Sequence, residues 1–199
     1  MNIQTLALGP LQTNCYIVSD DSRTDAVIID PAGEPERIRA ALGGKTAAAV
    51  LLTHGHFDHT GALSAFSGTP IYIHAADQAM LTDPRLSLAG MVRDRAERPA
   101  ATDLVQEGSE LNLAGLRIQV LHTPGHTPGS VTYRIGDSLF TGDTMFQGSY
   151  GRTDFPGGSQ HDLMRSLSRL LALPDDYPVY PGHGPATRLS YERCNYPGL

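Results

Sequence analysis

The chain has 199 residues, of which 40% are hydrophobic, and a formal net charge of −6 at pH 7. This length favours one domain with a substantial core. The negative charge and the lack of any Lys/Arg block exclude an electrostatic nucleic-acid binder. No apolar run approaches the ~20 residues of a membrane span, and the start of the chain, MNIQTLALGP, does not resemble a secretory signal. We therefore expect a cytoplasmic protein without a nucleic-acid or membrane partner, and its oligomeric state stays open.

The first half of the chain alternates between β-rich runs and helical patterns. The continuous apolar run at 47–53 is typical of a strand covered on both faces. Residues 83–102 have weak periodicity, and we expect a partly helical excursion at the rim of the fold that could serve as a lid. The predicted strands are 3–8, 15–19, 26–30, 47–53 and 70–74, and the predicted helices are 34–44, 58–68 (with Asp58 as a cap) and 75–81.

The second half repeats the succession of strands and helices. Strands are predicted at 116–122, 130–135 and 138–142, a last strand and loop at 177–185, and an amphipathic helix at 161–173 with Leu163, Leu167, Leu170 and Leu171 on one stripe. Strands in both halves with interspersed helices predict an α/β (α+β) fold, an αββα sandwich in which two mixed β-sheets pack face to face with helices outside.

A dense cluster of imidazole and carboxylate follows the apolar run, in LLTHGHFDHTGAL at residues 51–63. In extended backbone, residues two apart point the same way, so His54 and His56 can share one metal ion. Asp58 and His59 turn elsewhere, and they suit a second, adjacent ion. A polar turn is the simpler reading, but an H-x-H-x-D-H pattern is too specific for it.

Three later loops at strand ends supply the remaining ligands: HTPGHTPGS with His126, FTGDTMF with Asp143, and YPGHGPAT with His183. The number of candidate ligands predicts two metal sites, bridged by Asp143. The first would contain His54, His56 and His126, and the second Asp58, His59 and His183. We expect two divalent ions per chain, with Zn²⁺ favoured by the donor set and Fe²⁺ or Mn²⁺ also compatible. Neither Cys15 nor Cys194 lies in these motifs, so a closed thiolate zinc site is not expected.

The order of these motifs resembles the metal-binding pattern of the metallo-β-lactamase fold hydrolases, over nearly the whole chain. The resemblance implies the αββα sandwich and the seven ligands assigned above. It also implies that Asp30, in VIIDPAG, is a neighbour of the metals that does not bind them. Asp58 is expected to act in catalysis as well, by orienting the attacking water.

Narrower motifs, GDTMFQGSYGRTDFPGGS at 142–159 and PGHGPAT at 181–187, resemble the compact type II glyoxalases, or hydroxyacylglutathione hydrolases. This resemblance implies hydrolysis of a small-molecule glutathione thioester, S-D-lactoylglutathione, to D-lactate and glutathione. It implies a single domain over 1–199, without the C-terminal helical domain of the longer enzymes. Arg152 falls where the longer enzymes have a glutathione-binding Lys, and it either pairs a substrate carboxylate or forms a structural pair with Asp154. Tyr150 and Phe146 are candidate pocket residues.

Other activities remain alternatives on the same fold. Persulfide dioxygenases, which use a single iron, also carry a GRTDF segment. Their last histidine, however, lies in a different motif from PGHGP, and Ala follows their aspartate where this chain has Thr144. A promiscuous hydrolase of another ester or thioester is also compatible with the motifs. An exported β-lactamase is disfavoured by the start of the chain and by the GRTDFPGG segment.

Overall fold

The computed structural model describes residues 1–196 and contains two six-stranded sheets and a two-stranded ribbon. The strands are β1 (Asn2–Leu8), β2 (Thr13–Ser19), β3 (Asp25–Ile29), β4 (Thr46–Leu51), β5 (Ile71–His74), β6 (Asp103–Val105), β7 (Glu110–Leu113), β8 (Leu116–His122), β9 (Val131–Ile135), β10 (Ser138–Gly142), β11 (Met145–Phe146), β12 (Ser149–Tyr150), β13 (Pro178–Pro181) and β14 (Thr187–Arg188). The α-helices are α1 (Pro35–Leu42), α2 (Ala89–Val92), α3 (Gln160–Leu171) and α4 (Leu189–Asn195). None of the helices in the described part is long and apolar enough to cross a membrane.

Both large sheets are mixed. The first has the order β1-β2-β3-β4-β5-β6, with antiparallel pairs up to β3 and parallel pairs from β3 to β6. The second has the order β14-β13-β10-β9-β8-β7, and only its β10–β13 pair is parallel. This arrangement confirms the predicted fold class.

Alternation along the strands divides the core into three layers. Because successive side chains in a strand point to opposite faces, β3 sends Ala26 and Ile28 toward α1, while Val27 and Ile29 face the second sheet. The third layer lies between the second sheet and α3, where the predicted leucine stripe is buried. Helices therefore cover the outer faces of two sheets that pack against each other.

Several hydrogen bonds cross between the sheets beside the ends of their strands. Asn14 on β2 donates its side-chain amide to the carbonyls of Pro181 and Gly184, and Tyr16 donates its hydroxyl to the Pro181 carbonyl. The N–H of Val131 donates to the carbonyl of Thr53. These bonds fix the loop edges of the two sheets against each other, and the candidate site lies at that edge.

Some predicted elements were wrong in type. The predicted helix at 58–68 is two short 3₁₀ turns, Phe57–His59 and Leu63–Phe66, and Ala75–Leu81 is also a 3₁₀ helix. Asp58 is not a cap, because its carboxylate accepts a hydrogen bond from the Thr13 hydroxyl instead. Residues 83–102 contain one helical turn, α2. Strands β6 and β7, the β11–β12 ribbon and helix α4 were not predicted, since each is too short to show a clear period.

Candidate metal centre

The predicted metal-ligating residues follow the carboxyl ends of strands. His54–His59 come after β4, His126 lies in the loop between β8 and β9, Asp143 follows β10, and His183 follows β13. Since β3 and β4 are parallel, as are β10 and β13, these ends meet at one edge of the sandwich. The structure brings all seven residues together there.

The first group contains His54, His56 and His126, whose donor atoms lie within 4.8 Å of one another. All three rings are buried, with 1–3% of each residue exposed. Nδ1 of His56 lies 2.9 Å from Nε2 of His126. This group has the membership that the spacing of the sequence predicts for the first site.

The second group contains Asp58, His59 and His183, again with donor atoms within 4.8 Å. Oδ2 of Asp58 lies 3.2 Å from Nε2 of His183 and 3.5 Å from Nε2 of His59. His59 is fully buried, whereas 27% of the His183 side chain is exposed. The second group is therefore the more accessible to solvent.

Asp143 lies between the two groups. Its Oδ1 is 3.3 Å from Nε2 of His59, and its Oδ2 is 3.5 Å from Nε2 of His126 and 3.6 Å from Nε2 of His183. A carboxylate in this position can offer one oxygen to each group. The assignment of the residues as ligands, and of Asp143 as the bridge, stays a prediction that this geometry supports.

Hydrogen bonds at the far side of four rings set which nitrogen faces the centre. Nδ1 of His59 donates to Asp30 at 2.8 Å, Nδ1 of His126 to the carbonyl of Arg152 at 2.7 Å, and Nδ1 of His183 to the carbonyl of Leu11 at 3.2 Å. Nδ1 of His54 lies 3.2 Å from the Thr53 hydroxyl. In each case Nε2 is left to face the cluster, which is how metal-ligating histidines are usually oriented.

Burial and charge shift the two groups of histidines in opposite directions. Burial, helped by the neighbouring imidazoles, holds the pKa of His54 well below its ordinary value and lowers the pKa of His56 to about 3. Burial also disfavours charge on His59 and His183, but Asp58 and Asp143 outweigh it and raise the pKa of both. His54 and His56 are therefore neutral donors, whereas His59 and His183 lie where a positive charge is favoured.

The donor atoms fit a metal centre because they have no adequate partners in the protein. Throughout residues 1–196, the buried side-chain atoms that lack a hydrogen-bond partner are Nε2 of His54, His56 and His59 and Oδ1 of Asp143. Unpaired buried polar atoms are costly and rare. Three of these atoms belong to His54, His59 and Asp143, whose ligand atoms lie within 4.8 Å of one another, which indicates that a cation belongs between them.

The charge of the cluster supports the same conclusion. Asp30, Asp58 and Asp143 are nearly buried, and no Lys or Arg among the described residues forms an ion pair with any of them. Buried carboxylates need a compensating charge. The two groups are consistent with a binuclear metal site. Imidazole with carboxylate suits Zn²⁺, Fe²⁺ or Mn²⁺.

Gly182 allows the loop before His183 to approach the centre closely. A Cβ at this position would lie 2.1 Å from Oδ1 of Asp143 and 2.7 Å from Cε1 of His59. Any larger residue would therefore displace a predicted ligand. This close approach explains the first glycine of the PGHGP motif.

A cavity of about 500 Å³ opens onto the cluster, and it is lined by Asp58 and Asp143 together with Arg152, Tyr150 and Phe146. Phe146 meets the ring of His183 edge-on, and 40% of Tyr150 is exposed. The cavity thus contains all three residues predicted to bind substrate.

Arg152 forms an ion pair with Asp154, as the second of its two interpretations predicts. Its guanidinium forms two hydrogen bonds of 2.6 Å with Asp154 and lies over the ring of Phe155. The pair lowers the pKa of Asp154 to about 2. Both side chains are more than half exposed, and exposed pairs of this kind contribute little to stability. The contact therefore leaves a substrate role for Arg152 open.

Asp77 was not predicted from the sequence, although it holds both histidine loops. Its buried carboxylate accepts hydrogen bonds from the N–H of Gly55, between His54 and His56, and from the Thr127 hydroxyl and Gly129 N–H, just after His126. Burial raises its pKa, and these hydrogen bonds oppose the rise. Asp77 lies three residues after the end of β5, and a carboxylate near the end of a strand is the kind of signal from which Asp143 was predicted.

Comparison with known proteins places this geometry in a family. The model of the family described as the metallo-beta-lactamase superfamily matches residues 8–183. A Bacillus subtilis protein named "Probable metallo-hydrolase YqgX" is 39% identical over 209 residues, which cover 100% of this chain and 98% of the relative. "Hydroxyacylglutathione hydrolase GloC" of Haemophilus influenzae is 37% identical over 210 residues, covering 100% and 98%.

Two solved structures are similar over almost their whole length. One, described as the BLEG-1 B3 metallo-beta-lactamase, is 37% identical with a TM-score of 0.91, covering 98% of both chains. The other, TTHA1623 in a di-iron-bound form, is 39% identical with a TM-score of 0.86, covering 98% of this chain and 100% of that one.

Proposed function

The chain belongs to the metallo-beta-lactamase superfamily, and from that premise we propose that it hydrolyses a glutathione thioester, S-D-lactoylglutathione, to D-lactate and glutathione. The observation that carries the proposal is the full-length similarity to the hydroxyacylglutathione hydrolase GloC. The seven converging donors support the coarser statement, that this is a metal-dependent hydrolase of the superfamily.

The seven predicted ligands would hold two metal ions. His54, His56 and His126 would hold one divalent ion, Asp58, His59 and His183 the other, and Asp143 would contact both. The bound ions would supply Lewis acidity toward a carbonyl oxygen and make water a stronger acid. The di-iron form of TTHA1623 supports a paired centre, and zinc remains the metal that we favour from the donor set.

Asp58 is the proposed catalytic residue. The Thr13 hydroxyl donates to its Oδ2 at 2.9 Å, which fixes the carboxylate where it faces both the cluster and the cavity. From there it can accept a proton from a water molecule and orient that water toward the thioester carbon. A thiolate is a good leaving group, so the proposal requires no separate acid.

Arg152, Tyr150 and Phe146 would position the glutathione half. Arg152 would release its exposed partner Asp154 and form an ion pair with a glutathione carboxylate instead. Tyr150 and Phe146 would line the cavity with aromatic rings.

The proposal is tested by loading the protein with metal and measuring anaerobic hydrolysis of S-D-lactoylglutathione and of a small neutral thioester. Arg152→Ala should lower kcat/KM for the glutathione thioester more than for the neutral one. Arg23→Ala is the matched control, since Arg23 pairs with Asp25 two residues along the chain, as Arg152 pairs with Asp154. Equal losses on both substrates would remove Arg152 from the proposal. A single iron, with activity only toward a persulfide in the presence of O₂, would replace hydrolysis by the dioxygenase reaction.

A second candidate, β-lactam hydrolysis, is favoured by the likeness to the BLEG-1 B3 metallo-beta-lactamase. The same metal-loaded protein should be offered a chromogenic cephalosporin. Turnover of the β-lactam that exceeds turnover of the thioester would make this the primary function.

A further inference from the structure

A second cavity, larger than the one at the metal centre, opens beside it. Its volume is about 660 Å³, against about 500 Å³ for the first. It lies between the β1–β2 turn, the loop after β3 and the segment after α2, and its walls include Leu8, Leu11, Ala32, Gly33, Phe57 and Val92. We propose that this second cavity binds an apolar acyl group of the substrate, so that the enzyme prefers thioesters with longer apolar acyl chains to lactoyl thioesters. This inference rests on the proposed thioester hydrolysis.

The two cavities meet at the proposed catalytic residue. Leu11, Phe57, Asp58 and Val92 line both of them. Thr13, whose hydroxyl holds the Asp58 carboxylate, lines the second cavity only. A thioester carbonyl placed beside Asp58 at this junction would therefore direct its two substituents into different cavities.

The charges of the second cavity decide which substituent enters it. Within residues 1–196 its wall contains no Lys, Arg or His, and its charged side chains are Glu34, Asp58 and Asp94. Glu34 pairs with Arg37 and Asp94 with Arg98, and neither arginine lines the cavity. A wall that presents no cation of its own in the described part of the chain, and whose carboxylates Glu34 and Asp94 already pair with the nearby arginines, offers no partner to the carboxylates of glutathione. The glutathione half therefore belongs on the Arg152 side, and an uncharged acyl group belongs in the second cavity.

The apolar side chains around the opening support an apolar occupant. Leu11 and Val92, at the boundary of the two cavities, are 52% and 54% exposed, and Met91 beside them is 73% exposed. Exposed apolar residues that are contiguous with a cavity are typical of a surface that a ligand covers. An acyl chain passing this boundary would remove them from water.

The test compares S-D-lactoylglutathione with a series of glutathione thioesters from S-acetyl to S-octanoyl, with the metal-loaded protein. Burial of a methylene contributes enough transfer free energy to raise kcat/KM about fourfold, so the first few methylenes should each raise it about twofold to fourfold. S-alkyl glutathione thioethers, which lack the carbonyl, should show the same trend as competitive inhibitors.

Two variants add a larger side chain to the lining of the second cavity from separate segments, Gly33→Leu in the loop after β3 and Ala96→Leu in the segment after α2. A Cβ at Gly33 would have only ordinary van der Waals neighbours, the nearest being Cα of Gly9 at 3.7 Å. Both variants should abolish the preference for long chains, lowering kcat/KM for S-octanoylglutathione by a larger factor than for S-acetylglutathione. Ala100→Leu is the matched control, because Ala100 is exposed in the same segment as Ala96 and lines neither cavity; it should leave the whole profile unchanged.

The outcomes separate the two proposals. A flat profile among thioesters that are hydrolysed, or a length preference that survives both filling variants, would overturn the acyl site alone. If none of these glutathione thioesters is hydrolysed, the proposed function is overturned, and the acyl site with it.

Discussion

Oδ2 of Asp30 accepts a hydrogen bond from Nδ1 of His59 at 2.8 Å, and both side chains are buried. The same carboxylate accepts hydrogen bonds from the Thr53 N–H and hydroxyl, so its position is fixed, and the orientation of the His59 ring is fixed with it. Asp30 has a φ of +50°, in the left-handed region that aspartate tolerates better than most residues. This contact determines that Nε2 of His59 faces Asp58 and Asp143.

Asp30→Asn should weaken metal binding about 10-fold to 100-fold. The amide has a single acceptor oxygen, so it cannot satisfy both Thr53 and His59 as the carboxylate does. The dissociation constant, measured by competition with a chromophoric chelator, checks this expectation. Asp25→Asn, at the partly exposed start of β3, which Asp30 follows, is the control. An unchanged affinity in the Asp30 variant would show that this hydrogen bond does not orient a ligand.

Asp77→Asn should lower the free energy of unfolding by about 1–3 kcal/mol, the cost of a buried donor left unpaired. Three donors, from Gly55, Thr127 and Gly129, converge on the carboxylate, and an amide nitrogen would face at least one of them. Denaturant unfolding of the metal-free protein measures the effect. Asp21→Asn, at an exposed position, should change stability negligibly. An equally stable Asp77 variant would contradict the view that this residue holds the two loops.

The pH dependence of metal binding should differ between the two groups. A raised pKa means that His59 and His183 keep a proton at pH values where an ordinary histidine has lost it, so a metal ion must displace that proton. A lowered pKa means that His54 and His56 are already neutral. Binding at the second group should therefore release more protons and weaken more steeply as the pH falls.

Calorimetric titration near pH 6.5, in buffers of different ionisation enthalpy, measures this release. The His183→Ala variant isolates the first group, and His56→Ala isolates the second. Equal proton release in the two variants would contradict the opposite pKa directions.

The sequence predicts the site better than it predicts the secondary structure around it. The spacing of His54, His56, Asp58 and His59 and the strand-end positions of His126, Asp143 and His183 lead to groups that the structure brings within 4.8 Å. The residues converge because strand ends are strongly constrained by the buried sheet, and their role as metal ligands stays a prediction. Short elements such as the 3₁₀ turn Phe57–His59 contain too few residues for a period to distinguish them from a helix.

Other features depend on packing between distant segments, which no local pattern encodes. Asp77 lies far along the chain from Thr127 and Gly129, and only the assembled sandwich shows that it binds them. The second cavity likewise forms between the β1–β2 turn and residues after α2. The sequence shows each wall separately without showing that the walls meet.

The most direct test is metal analysis of the purified chain beside its His56→Ala and Asp143→Ala variants, with thioester hydrolysis measured on the same samples. We expect two divalent ions per wild-type chain, loss of at least one ion in each variant, and loss of activity together with that ion. Full turnover by a variant that has lost its metal would contradict this expectation.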